Sequence, residues 1–162
     1  MQTSQQDLLA LKTALEKPGV GKKRHDLAEK FRDRDDMPLE WIREWLNTKW
    51  HVIGCKYLWL AAMNACIGRN DIPLDLIDQG LRKTDPSTFN AAITACRGCK
   101  ISFEVILQWY DLGNTVFRMA AVNACVDNPD VQEWFIEQAT DDPDDRIRQL
   151  AKSILSEKNG TD

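Results

Sequence analysis

Apolar positions recur along this chain in the rhythm of paired helices. From Arg146 to Leu155 the apolar side chains stand at 147, 150, 151, 154 and 155, with polar residues between them, which is the spacing of a helix with one buried face. Thirty residues earlier the same positions hold Phe117, Ala120, Ala121, Ala124 and Cys125. At the centre of the pattern is a phrase written three times: Ala61-Ala62-Met63-Asn64-Ala65-Cys66, Ala91-Ala92-Ile93-Thr94-Ala95-Cys96 and Ala120-Ala121-Val122-Asn123-Ala124-Cys125, spaced by 30 and then 29 residues. A fixed period of roughly 20–50 residues predicts a stacked array in which each unit buries its apolar side against its neighbours.

Extending the period divides nearly the whole chain into five helix pairs, each with a first helix A and a second helix B: about 3–36, 38–70, 72–100, 101–129 and 130–158. Pro18-Gly19-Val20-Gly21 separates the two helices of the first pair, since Pro and Gly both break a helix. The later A helices open on an acid, at Glu40, Asp75, Glu104 and Glu133, where a carboxylate meets the positive end of the helix dipole. Those acids are separated by 35, 29 and 29 residues, so the second pair carries six extra residues, in or beside Thr48 to Lys56. Met63, Ile93 and Val122 share one repeat position at which the last pair has Lys152. An apolar residue there packs on the following repeat, and its replacement by Lys makes the fifth pair a C-terminal cap. The charged helix B of the first pair reads as the N-terminal cap.

The run Asp141-Asp142-Pro143-Asp144-Asp145-Arg146-Ile147-Arg148-Gln149-Leu150-Ala151-Lys152-Ser153-Ile154-Leu155 resembles the second helix of a short HEAT-like repeat. Met119 to Leu150 also resembles the variant leucine-rich repeat, with an Ala-rich helix, an Asn-Pro turn and a following acidic-apolar helix. The likeness covers residues 38–158 and, loosely, the first pair. It implies an all-α fold, a right-handed α-α superhelix (solenoid) of about five helix pairs forming a single domain over 1–162, and it transfers no catalytic residue. In HEAT-like arrays the B helices line the concave face. The resemblance therefore places Asn64, Thr94, Asn123 and Ser153, which share one repeat position, on a row open to a partner, with Arg118 and Arg148 from a nearby row. A hydrogen-bond ladder between repeats is the other use of such a row.

The chain has 162 residues, 43% of them hydrophobic and 28% charged, an ordinary globular composition that excludes the disordered class. No stretch approaches the apolar length of a membrane span, and the opening Met1 to Asp7 has no basic region followed by an apolar run. A cytoplasmic protein without a membrane partner is expected. Five cysteines, three of them at one repeat position, predict small buried thiols rather than a disulfide framework. The net charge of −4 argues against general nucleic-acid affinity. It is uneven, however: residues 1–60 carry 11 Lys/Arg and 9 Asp/Glu, the remainder 10 and 16. The N-terminal part is the expected anion-facing end.

Few residues offer chemistry. His51 with Cys55, and Cys96 with Cys99, make two short pairs that could be joined as a zinc site. Repeat arithmetic places the pairs at opposite ends of neighbouring helices, so no metal is expected, and neither is a cofactor. The only histidines are His25 and His51, and no nucleophile-base-acid set emerges around them. Lys22, Lys23 and Arg24, after Gly19-Val20-Gly21, could hold a phosphate at a helix start, although the P-loop pattern is absent; a solvated cap face is the plainer reading. Trp41, Trp45, Trp109 and Trp134 fall on A helices as core candidates, whereas Trp50 and Trp59 flank the insertion and are candidates for partner contact. The expected function is a non-enzymatic protein-protein interaction module using Asn64, Thr94, Asn123, Arg118, Arg148, Trp50 and Trp59. Nucleic-acid binding through Lys22, Lys23 and Arg24 is the alternative. An enzyme or lyase-like ligand binder would need a deep pocket beside His51 and Cys55.

Overall fold

A computed structural model of the chain describes residues 2–32, 34–97 and 99–159. Among these residues there are ten α-helices and no strand. They fall into two compact units, Met1–Ala95 and Cys96–Asp162.

The first unit contains α1 (Gln2–Glu16), α2 (Lys22–Glu29), α3 (Leu39–Leu46), α4 (Cys55–Asn64), α5 (Leu74–Leu81) and α6 (Pro86–Ala95). Each odd-numbered helix packs on the one that follows it, α2 packs on α4 and α4 on α6, and α3 packs on α5. Pro38 and Pro73 precede α3 and α5 with φ of −61° and −60°, and Glu40 and Asp75 fall in the first turns. Pro fixes φ and has no N–H to lose at that place, and the acid meets the free N–H groups of the helix start. The repeated Ala-Ala phrases lie at the centre of the stack: Ala61, Ala62, Ala91 and Ala92 are all buried. Small side chains let helix backbones approach closely, and Ala costs nothing in helix propensity.

One contact shows how tightly the helices are set. A Cβ built on Gly80 of α5 would collide with the Met63 sulfur, reach Met63 Cγ at 2.9 Å and Ala92 Cβ at 3.0 Å. Gly80 therefore leaves the space that the Met63 side chain of α4 fills; Met63 is fully buried, whereas Ile93 at the same repeat position is half-buried.

The second unit contains α7 (Phe103–Asp111), α8 (Thr115–Asn123), α9 (Glu133–Ala139) and α10 (Asp145–Asn159). Here α7 packs on α8, α9 on α10, and α8 on α10. Asn114 caps α8 by accepting the Val116 N–H at 2.8 Å. Phe135 sits among the rings of Phe103, Tyr110 and Trp134, edge to face at 5.7, 5.1 and 6.1 Å. Val122 is buried and Lys152 exposed, the difference anticipated for an internal helix and a terminal one.

All five cysteines are buried free thiols. Cys66 and Cys125 each donate to the carbonyl four residues earlier, at 3.2 Å. Burial pushes the Cys125 thiol up to about 12 and raises Cys96 as well. Thiols held neutral in this way are core filling and poor nucleophiles.

Candidate partner-binding surface

The inserted residues form a string of turns in the first unit. The N–H groups of Thr48, Val52 and Cys55 donate to the carbonyls of Trp45, Lys49 and Val52 at 3.0–3.1 Å. Two side chains tie the loop down from α4. The Trp59 indole N–H donates to the Thr48 carbonyl at 3.0 Å, and the Cys55 thiol donates to the Trp50 carbonyl at 3.3 Å. Three apolar side chains remain outside, Trp50 at 81% exposed, Ile53 at 71% and Val52, beside the exposed Lys49 and His51.

A groove of about 680 Å³ runs beside this loop, between the end of α3 and the turn joining α5 to α6. Trp50, the edge of Trp59 and Leu46 supply its apolar wall, and its ionisable groups are Lys49, Arg82 and Lys83, all cationic. Lys83 is held in place. Its ammonium donates to the Leu46 carbonyl at 2.6 Å and lies 4.5 Å from the Trp59 ring centroid. Burial lowers its pKa. Arg82 pairs with Asp78 at 2.7 Å in an exposed position.

The turn between α1 and α2 abuts the same loop. Gly54, at φ 82°, lies so near that a Cβ there would stand 2.8 Å from the Gly19 carbonyl. The Gly21 N–H donates to the Tyr57 hydroxyl at 2.8 Å. Beneath the junction lies Arg24, which is buried, donates to the Leu15 carbonyl and stacks on Tyr57 with its guanidinium carbon 5.8 Å from the ring centroid. Replacing Gly54 with Ala is expected to cost about 1–3 kcal/mol, since it adds a backbone clash to a left-handed φ. The same change at Gly68, also at positive φ but with nothing within 4 Å, serves as the comparison and should cost only about 1 kcal/mol. Denaturant unfolding of both variants checks this; equal losses would mean that the Gly19–Gly54 contact is dispensable.

The structure redistributes the residues expected to bind. Trp50 is exposed, and so are Lys22 and Lys23. Trp59 is buried, and works as the floor of the loop. Arg24 is a buried post rather than a phosphate ligand, because the glycines at 19 and 54 let the two backbones close over it. The expected open row is not uniform. Asn64 is fully buried, its amide donating to the Ala28 carbonyl and to Glu29 Oε1, both at 3.2 Å, which is the ladder-like use between helix pairs. Thr94 is exposed and bonds back to Asn90 within its own helix, and Asn123 is half-buried.

Arg118 and Arg148 are both drawn into the turn before α10. Arg118 pairs with the buried Asp142 at 3.0 Å and also donates to the Gly113 carbonyl. Arg148 donates to the Asp142 and Pro143 carbonyls at 2.7 and 3.0 Å. Both hold the turn before α10; the Arg118 side chain is 14% exposed and that of Arg148 34%. His51 is exposed at 6.0 Å from the Trp50 ring, and the Cys55 thiol is raised by burial.

One further signal in the sequence marks this surface. No Asp or Glu occurs in residues 17–25 or in residues 45–70, and the turn and the loop that meet at Gly19 and Gly54 belong to those two stretches. No protein-family model, no curated protein and no solved structure matches this chain.

Proposed function

We propose that the chain is a non-enzymatic interaction module, built as a superhelix of five helix pairs of the HEAT-like kind, that takes a segment of another protein into the groove beside the inserted loop. The observation that carries this reading is Trp50: a tryptophan 81% exposed on the wall of a groove whose ionisable groups are all cationic. Exposed Trp and Arg rank among the side chains that dominate interface energies, and the charge suits a partner segment with an apolar anchor beside acidic residues. Cys55, the thiol nearest His51 in sequence, points to the Trp50 carbonyl with its pKa raised, which supports a binding role over a nucleophilic one.

Retention of proteins from nuclease-treated lysate on the immobilised chain, compared with Trp50→Ala and with Lys49→Glu/Arg82→Glu, tests the reading. A partner held by the parent and at least about tenfold weaker on both variants is the expected result; retention unchanged in both would overturn it. Nucleic-acid binding is the second reading, favoured by the exposed Lys22 and Lys23 lying in an acid-free stretch. It requires affinity that falls steeply with salt and disappears after nuclease treatment.

A further inference from the structure

The edge of the first unit where the α1–α2 turn meets the inserted loop carries a second feature. Val20 on the turn is 71% exposed, as is Ile53 on the loop, and each is the chain neighbour of one of the two glycines in contact, Gly19 and Gly54. Val52 and Trp50 precede Ile53 on the same loop, so four exposed apolar side chains make up a tip carried on two loops whose backbones meet at Gly19 and Gly54. Lys17 and, in the helices that follow the two loops, Lys22, Lys23 and Lys56 are all exposed, and Lys22 and Lys56 line one pocket with Gly21. The carboxylates nearest the two loops in sequence are Glu16, Asp26 and Glu44, the last 3.6 Å from Lys12, and Asp85 lines the pocket that Lys22 and Lys56 share. Glu16 pairs with Lys12 and accepts the Trp45 indole N–H, Asp85 accepts from Thr88 at the start of α6, and Asp26 lies within α2.

We propose that this tip docks the first unit on an anionic lipid surface, with Val20, Val52 and Ile53 entering the layer beneath the headgroups, Trp50 at the interface and the lysines against the phosphates. The charge alone would suit any polyanion. The three aliphatic side chains decide among them, because a nucleic acid has no hydrocarbon layer to receive them and an acidic bilayer has one directly below its charges. Trp is the residue enriched at that depth, and an exposed apolar patch accompanied by lysines is the pattern of surface attachment. No helix in the described residues is long and apolar enough to cross a membrane, but a contact of this kind needs no span. The inference is independent of the groove reading and shares only Trp50 with it.

The test is co-sedimentation of the full chain with vesicles of phosphatidylcholine alone and of phosphatidylcholine mixed with phosphatidylserine. Tryptophan emission is followed in parallel, with Trp50→Phe as the reference. The expected result is sedimentation with the mixed vesicles only, a blue shift lost in Trp50→Phe, and binding at least about tenfold weaker in both Val20→Asp/Ile53→Asp and Lys22→Glu/Lys23→Glu. These positions are exposed, and unchanged circular dichroism would show the variants folded. Failure to sediment with mixed vesicles overturns the proposal. So does sedimentation that Val20→Asp/Ile53→Asp leaves intact, which would reduce the contact to charge, or binding to a single-stranded oligonucleotide without binding to vesicles. None of these outcomes alters retention by Arg82→Glu, which reports on the groove alone.

Discussion

Replacing Asp142 with Ala is expected to destabilise the second unit by about 3 kcal/mol. The carboxylate is buried and accepts from three elements at once: the Tyr110 hydroxyl of α7 at 2.6 Å, Arg118 Nε of α8 at 3.0 Å, and the Asp144 N–H at 2.8 Å at the entry to α10. Removing it leaves the Arg118 guanidinium, largely buried, without its counter-ion, and leaves a phenol and an amide without acceptors. Tyr110 reports the same environment, its pKa raised by burial and then by Asp142. Denaturant unfolding followed by circular dichroism gives the number. A loss below about 1 kcal/mol would place the network among surface ion pairs of little consequence. Asp142→Asn keeps the shape and part of the hydrogen bonding, and should lie between the parent and the Ala variant.

Trp45→Ala should cost the first unit about 3–5 kcal/mol. The Trp45 ring is buried, packs edge to face on Phe31 at 5.1 Å, and donates its indole N–H to Glu16 at 3.0 Å. It thereby joins α3 to α1 and to the turn after α2. Truncation opens a cavity between those elements, and the cost grows with the volume left unfilled. Trp45→Phe retains most of the apolar area and loses the N–H, so a milder loss is expected there. If Ala and Phe cost the same, the hydrogen bond to Glu16 rather than the packed volume holds the junction.

The helix pairs were legible because their markers are local and repeat: a small buried residue every 29 or 30 positions, an acid at the start of every A helix after the first, and a surplus of six residues in one pair. The surfaces were less so. Asn64 and Asn123 hold the same repeat position, yet only Asn64 is fully buried, because Ala28 and Glu29 of α2 supply acceptors for its amide. Arg24 sits in a charged run that reads as solvated, and its burial depends on Gly54 of a distant loop as well as on nearby Gly19. Asp142 lies in an acidic run that also reads as solvated, and only the folded turn shows that Tyr110 and Arg118 converge on it. Periodicity cannot carry that information, since each case turns on a contact between residues more than 20 positions apart. Of the two tryptophans beside the insertion, sequence reasoning singled out both, and the structure exposes Trp50 and buries Trp59.

The central claim is that a protein partner meets the chain at Trp50. Placing a photo-crosslinking residue at position 50 of the full chain, with the other exposed tryptophan position, 134, as the comparison, tests it in nuclease-treated lysate. The account predicts a discrete protein adduct from position 50 that Arg82→Glu removes, and none from 134. An adduct from 134 with nothing at 50 would contradict it and move the site to the second unit.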